Sequence, residues 1–258
     1  MDSNCSNCNQ AIIGNFCSNC GQKKYKRINK NYIWEEVQYT LLHTNKGFLY
    51  SIKKIIKNPG KTAKEFIEGK RVNHYKPLLL VFVLSGISAF ISFKVIGMED
   101  TLKDHFSANE DINTNFLNNY ITFLSSYSSI LMLSLLPGFA FLTWLVLRKW
   151  GHNYYEHIVM NSYILSFYTL FGLLVIYPVM FFLKKDYATL MLATNLQILT
   201  VPFLLIWFFK TFYPEKSLIK IILNVLAVLV LLIFGFVLIV IIGFVIGYIF
   251  GSLEQTPQ

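Results

Sequence analysis

Cys5, Cys8, Cys17 and Cys20 are the four cysteines of this 258-residue chain, and all fall within its first twenty residues. Their spacing, Cys-x2-Cys-x8-Cys-x2-Cys, sets two thiolate hooks across a short connection. A tetrahedral Zn²⁺ takes four such soft ligands, so a zinc ribbon over residues 1–22 is expected, with structural Zn²⁺ as cofactor. The apolar residues between the hooks are Ala11, Ile12, Ile13 and Phe16, too few to fold the segment without a cross-link. Four cysteines close the coordination sphere and leave no position for a reactive water, which argues against hydrolysis at the metal. Asn9 and Gly21 each follow the second cysteine of a hook, where left-handed backbone would turn N–H groups toward the sulfurs. Disulfides would serve the same end, but they require export of the N-terminus. The first 30 residues hold no signal-like apolar stretch, and clustered thiols beside basic residues fit a reducing compartment.

The second cluster with reactive side chains is His152, Glu156 and His157, just ahead of a long apolar run. Glu156 and His157 together would make an interfacial proton or metal site, and His152 shares a helix face with Glu156 four residues on. The competing reading is interfacial anchoring, helped by Trp150, Tyr154 and Tyr155. No catalytic constellation is evident elsewhere. Asn161, Asn195 and Gln197 are the main polar groups inside apolar runs, and interhelical hydrogen bonding is their expected role. Gly243, Gly247 and Gly251 form two successive GxxxG steps, with Gly235 on the same face, a helix-packing surface within the molecule or between copies. Ser85, Ser88 and Ser92 make a similar stripe of small residues.

The elements that carry these residues are mostly membrane spans. Hydrophobic residues make up 54% of the chain and charged ones 14%, with mean hydropathy +0.48. Soluble domains carry about 25% charged residues. Five apolar runs reach spanning length, roughly 78–98, 125–147, 158–183, 189–209 and 218–250. Pro137 and Pro178 are expected to kink the second and third. Of the net charge of +9, the excess sits entirely before the first run, with 14 Lys/Arg against 5 Asp/Glu in residues 1–77. With five spans and the N-terminus inside, 19 of 23 Lys/Arg face the cytoplasm, as the positive-inside rule asks. Lys184 and Lys185 then fall outside, which keeps four- and six-span layouts in play.

Residues 23–76 lie between ribbon and bundle. Ile33/Trp34, Val37 and Leu41 recur at helical spacing, and so do Phe48, Ile52 and Ile55/Ile56, with Lys53, Lys54 and Lys57 on the other face. Asn58-Pro59-Gly60 ends that helix. Thr62-x-x-Glu65 reads as a capping box for a further turn that Gly69 closes. Such basic amphipathic stretches are expected to lie on anionic lipid headgroups. Nucleic acid is not an expected partner, because residues 1–22 hold no Lys or Arg to meet phosphates.

These residues resemble a known family. Phe16-Cys17-Ser18-Asn19-Cys20-Gly21-Gln22, Gly47-Phe48-Leu49, Asn58-Pro59-Gly60, Glu68-Gly69-Lys70-Arg71-Val72 with Tyr75 and Pro77, and the later Tyr154-Tyr155-Glu156-His157-Ile158-Val159 resemble an uncharacterised bacterial family of zinc-ribbon membrane proteins, a domain of unknown function. The resemblance spans most of residues 5–170 and implies no activity. In architecture alone the chain is also similar to Yip1-like membrane proteins.

The expected molecule is therefore an all-α membrane protein of the bacterial cytoplasmic membrane. It has a bundle of about five transmembrane helices (77–258), basic amphipathic interfacial helices (23–76) and an N-terminal cytoplasmic zinc ribbon (1–22). The expected role is non-enzymatic, a scaffold or adaptor whose ribbon binds a protein partner, with homo-oligomerisation through the glycine stripe. A small-solute or lipid transporter is one alternative, and a lipid-modifying enzyme using Glu156 and His157 is another.

Overall fold

The computed structural model describes residues 4, 5, 8–21, 47–70, 73–107, 114–183 and 186–254, with 114–116, 239, 240 and 242–254 described by backbone alone. The chain divides into two compact units, 1–45 and 46–258. The first holds the cysteines and an antiparallel bridge from Asn4 to Ala11. The second is helical throughout, with no strand among the described residues. The helix expected around Ile33, Trp34, Val37 and Leu41, and the Lys184–Lys185 pair, lie outside the described residues.

Two short helices open the second unit, α1 (Gly47–Lys57) and α2 (Pro59–Ile67). Asn58 separates them by capping α2, its side chain accepting from the Lys61 N–H at 2.9 Å with Pro59 in the first turn. The cap is therefore four residues earlier than the capping box expected at Thr62. Proline needs no N–H partner at the first helical position, so the helix starts at once, and Thr62 lies a turn inside with its hydroxyl on the Asn58 carbonyl. Gly69, at φ +104, closes the helix as anticipated, and the Lys70 N–H reaches back to the Glu65 carbonyl.

Among the described residues, five helical segments are long and apolar enough to cross a membrane: Pro77–Val95, Leu117–Trp150, Tyr154–Phe182, Tyr187–Phe212 and Leu218–Leu238. The first comprises α3 (Pro77–Ala89) and a π-helical turn, Phe90–Val95. A surface helix, α4 (Met98–Ser107), follows before the second, α5 (Thr114–Leu147). The third comprises α6 (Tyr154–Phe171), a π-helical turn Gly172–Ile176, and α7 (Tyr177–Phe182). The wide turn ends where Pro178, lacking an N–H, could not continue an ordinary hydrogen-bond ladder. Proline also marks the fourth, where α8 (Tyr187–Leu199) and α9 (Val201–Phe212) meet at Thr200 beside Pro202. The last is α10 (Leu218–Glu254). α5 remains one helix through Pro137.

α6 is the hub, packed against α1, α2, α3, α5 and α9. It carries a polar run that is nonetheless buried: His157, Asn161, Ser162, Ser166 and Thr169. The other spans present apolar side chains outward, Phe203 at 73% and Ile219 at 71% exposure among them, as a lipid-facing surface must.

The amphipathic helices do not simply rest on a lipid surface. Phe48, Ile55 and Ala63 share one buried cluster with Leu80, Met160, Tyr163, Phe208 and Phe212. Gly60 explains the close fit, because a Cβ there would collide with the Phe208 carbonyl and the Thr211 hydroxyl of α9. At the other end of α1, a Cβ on Gly47 would press within 3.0–3.2 Å of the Asn73–Tyr75 backbone. Ser51 Oγ accepts the Tyr75 N–H at 2.8 Å in the same joint, and Phe48 meets Tyr75 edge-on at 5.3 Å. Lys53 and Lys57 stay exposed, so apolar burial positions these helices and leaves the charges at the rim.

Candidate functional site

The two cysteine hooks fold alike. The Asn9 N–H bonds the Cys5 carbonyl at 2.8 Å and the Gly21 N–H bonds the Cys17 carbonyl at 2.9 Å. Asn9 (φ +58) and Gly21 (φ +72) are both left-handed, as their positions after each hook suggest. All four Sγ atoms lie within 4.8 Å of one another, with Cys5–Cys20 and Cys8–Cys17 each at 3.5 Å. Four sulfurs about 2.3 Å from a central ion stand roughly 3.8 Å apart, so the set fits a tetrahedral cation. The backbone N–H groups of Cys20 and Asn19 pull the Cys17 thiol below its ordinary value. The Gln10 N–H acts the same way on Cys8, but crowding by the Cys17 and Cys20 sulfurs prevails and pushes it up to about 11. A bound cation would resolve that crowding by taking all four as thiolates. Cys5 and Cys17 are buried with Ile12, while Ile13 (102%) and Phe16 (60%) stand exposed beside them.

His152, Glu156 and His157 do not form one site. His152 precedes the helix instead of sharing a face with Glu156: Asn153 is the N-cap, and its side chain accepts from the Glu156 N–H at 3.0 Å. Glu156 completes a capping box by accepting the Asn153 N–H at 2.8 Å, which commits its carboxylate to the helix start. His152 pairs Nδ1 with the Tyr213 hydroxyl at 3.0 Å and packs edge-on against Phe212. Burial lowers its pKa and raises that of Tyr213. His157 turns the other way and is fully buried.

Its partners are residues that sequence reasoning did not join. His157 Nδ1 lies 3.1 Å from Thr143 Oγ1 of α5. Asn161 donates through Nδ2 to the same Thr143 oxygen at 2.7 Å and to the His157 carbonyl at 2.8 Å. Thr143 also contacts the Phe139 and Ala140 carbonyls, both at 3.1 Å. His157 Nε2 is buried with no partner among the described residues. Asn161 was expected to bond across helices and does; the signal for His157 was its place four residues earlier on the same helical face. Gln197 is also buried, its amide against Gly172 of the π turn, where a Cβ would lie 2.7 Å from Nε2. Asn195 is exposed.

The serine stripe of α3 packs internally: Ser85 and Ser92 are buried, and Ser88 Oγ lies 2.8 Å from Tyr177 OH. α10 is helical through Gly243, Gly247 and Gly251, whose packing lies outside what the structure describes. At Gly235 of the same face, a Cβ would meet nothing within 4 Å.

At the far end of the bundle, Glu99 of α4 joins Lys94 at 2.9 Å and Lys103 at 2.7 Å, with Thr122 of α5 donating at 3.3 Å. The hydrogen bonds from Lys103 and Lys94 hold its carboxyl at about 2.

A family model described as Protein of unknown function (DUF3667) matches residues 45–89. No curated protein and no solved structure matches the chain. The matched stretch is α1, α2, the Gly47–Tyr75 joint and α3, the part that locks onto α6 and α9. It includes neither the cysteines nor His157.

Proposed function

We propose that this multi-pass membrane protein is a non-enzymatic adaptor. In this reading the cysteine unit holds one structural Zn²⁺ as a ribbon at the cytoplasmic face of a bacterial inner membrane, and presents a contact surface to a protein partner. The observation that carries the proposal is the closed four-sulfur set beside two exposed apolar side chains, Ile13 and Phe16. A sphere filled by cysteines stabilises a fold and offers no open position for chemistry. Exposed apolar residues on so small a unit are where a partner would gain burial. The basic residues of α1 and α2, with Arg148, Lys149, Lys210, Lys216 and Lys220, support the cytoplasmic assignment and contact with anionic headgroups.

The test is cross-linking and affinity capture from native membranes, comparing wild type with a Cys17→Ser/Cys20→Ser variant inserted at matched levels. Specific partners lost with the cysteines support the adaptor. An unchanged or empty capture overturns it.

A further inference from the structure

The two sulfur pairs at 3.5 Å both run between the hooks, Cys5 with Cys20 and Cys8 with Cys17. Each joins a buried sulfur to a more open one: Cys5 and Cys17 are buried, Cys8 is half-buried and Cys20 is exposed. A thiolate that solvent reaches, with a second thiolate in contact with it, is the arrangement that turns a sulfenic acid into a disulfide. Chain entropy favours the same pairing. Cys5–Cys20 and Cys8–Cys17 are separated by 15 and 9 residues, and the two cysteines of a hook by three. A cross-link stabilises more as the loop it closes lengthens. The two loops are nested, and Ile12, which packs with Cys5 and Cys17, lies inside the inner one.

We propose that the four-cysteine unit is a thiol–disulfide switch driven by hydrogen peroxide, with zinc-bound thiolates as one state and the disulfides Cys5–Cys20 and Cys8–Cys17 as the other. The reduced state rests on the zinc reading above; the oxidised state does not. The Cys20 thiolate attacks a peroxide oxygen, breaking the O–O bond to give a sulfenic acid and hydroxide. The Cys5 thiolate then attacks the Cys20 sulfur, and a second hydroxide leaves as the S–S bond forms. Two protons from solvent convert both hydroxides to water, and the peroxide has taken two electrons from the sulfur pair. Cys8 and Cys17 repeat the sequence with a second peroxide. Sulfurs joined in disulfides no longer hold the ion, so it is released. The unit's apolar core is too small to fold without a cross-link, and the disulfides take over that role. Ile13 and Phe16 are then carried on a zinc-tied or a disulfide-tied form of the same unit. In a reducing compartment such disulfides are transient, as a sensor requires.

Purified full-length protein in detergent is supplied with zinc, its metal content is measured, and it is titrated with hydrogen peroxide, with and without a cyclic 1,3-diketone that traps sulfenic acids. Without the trap, the bound zinc is lost completely as two disulfides form, and non-reducing peptide mapping places them at Cys5–Cys20 and Cys8–Cys17. Dithiothreitol with added zinc restores the starting form. With the trap, adducts appear on Cys20 and Cys8. Zinc and thiols that survive peroxide sufficient to oxidise a reference dithiol overturn the proposal. So do bonds within a hook or between chains, or adducts confined to Cys5 and Cys17. Protein that binds no zinc yet still forms both cross-hook bonds sinks the zinc reading and supports the thiol chemistry.

Discussion

At the scale of single residues, the cysteine hooks depend on backbone as much as on sulfur. Wild type is expected to carry one zinc per chain by elemental analysis, and Cys17→Ser to lose it, because three ligands and a serine hold the ion poorly. Gly21→Val places a β-branched residue at φ +72 and should weaken metal retention by about 1–2 kcal/mol in a chelator competition. Asn9→Gly should change little, since glycine reaches the same conformation. Glu99 supplies a separate test at the other end of the molecule. Its folded carboxyl sits at about 2 against an ordinary 4.5, so its stabilisation is complete above pH 4.5 and lost as pH falls toward 2. Thermal midpoints in detergent should therefore fall over that window in wild type and be flatter in Glu99→Gln. At neutral pH that variant should already have lost about 2 kcal/mol, the scale of a partly buried charged hydrogen bond.

At the scale of elements, the segment before the first span acts as a clamp. α1 and α2 bury one face against α6 and α9, and the turn at Asn58 brings Gly60 onto the backbone of α9. Gly60→Leu should cost about 3 kcal/mol or release the clamp, because neither a backbone carbonyl nor a packed helix can yield to a side chain there. Limited proteolysis near residues 68–76 reads that release, and Lys61→Leu on the exposed side of α2 is the control that should leave cleavage unchanged. The clamp, its joint at Tyr75 and the first span form the stretch matched by the family model, so what that model captures is a packing unit. The π turn at Gly172 is a second element-level feature. Widening the helix ahead of Pro178 leaves room for the Gln197 amide, a partnership between spans that Gly172→Ala would obstruct.

At the scale of the whole molecule, the five candidate spans among the described residues predict termini on opposite sides of the membrane. Reporter fusions should show an N-terminus and a C-terminus of opposite accessibility, with the N-terminus cytoplasmic. The division at residues 45/46 carries its own expectation. With Zn²⁺ bound as proposed, chelation should unfold the cysteine unit, whose buried cluster is no more than Cys5, Ile12 and Cys17 among the described residues, read as a loss of its own protease protection.

Much of this was legible in the residues. Apolar runs of twenty must be helical spans, because lipid offers backbone groups no other partner, and the five runs became the five spans, most ends moving by four residues or fewer while the second span starts at Leu117 and the last is apolar enough only to Leu238. Two Cys-x2-Cys hooks in so small a unit call for a metal, and left-handed Asn9 and Gly21 followed from local sterics. Local rules erred where two local signals competed, as at Asn58 and Thr62. Periodicity shows that a face is apolar, but not whether lipid or protein covers it. What the tertiary structure alone decided was which side chains meet across helices: His157 with Thr143 and Asn161, Gln197 with Gly172, and Gly60 with α9. Such contacts depend on how helices rotate and approach one another, and no local spacing encodes that.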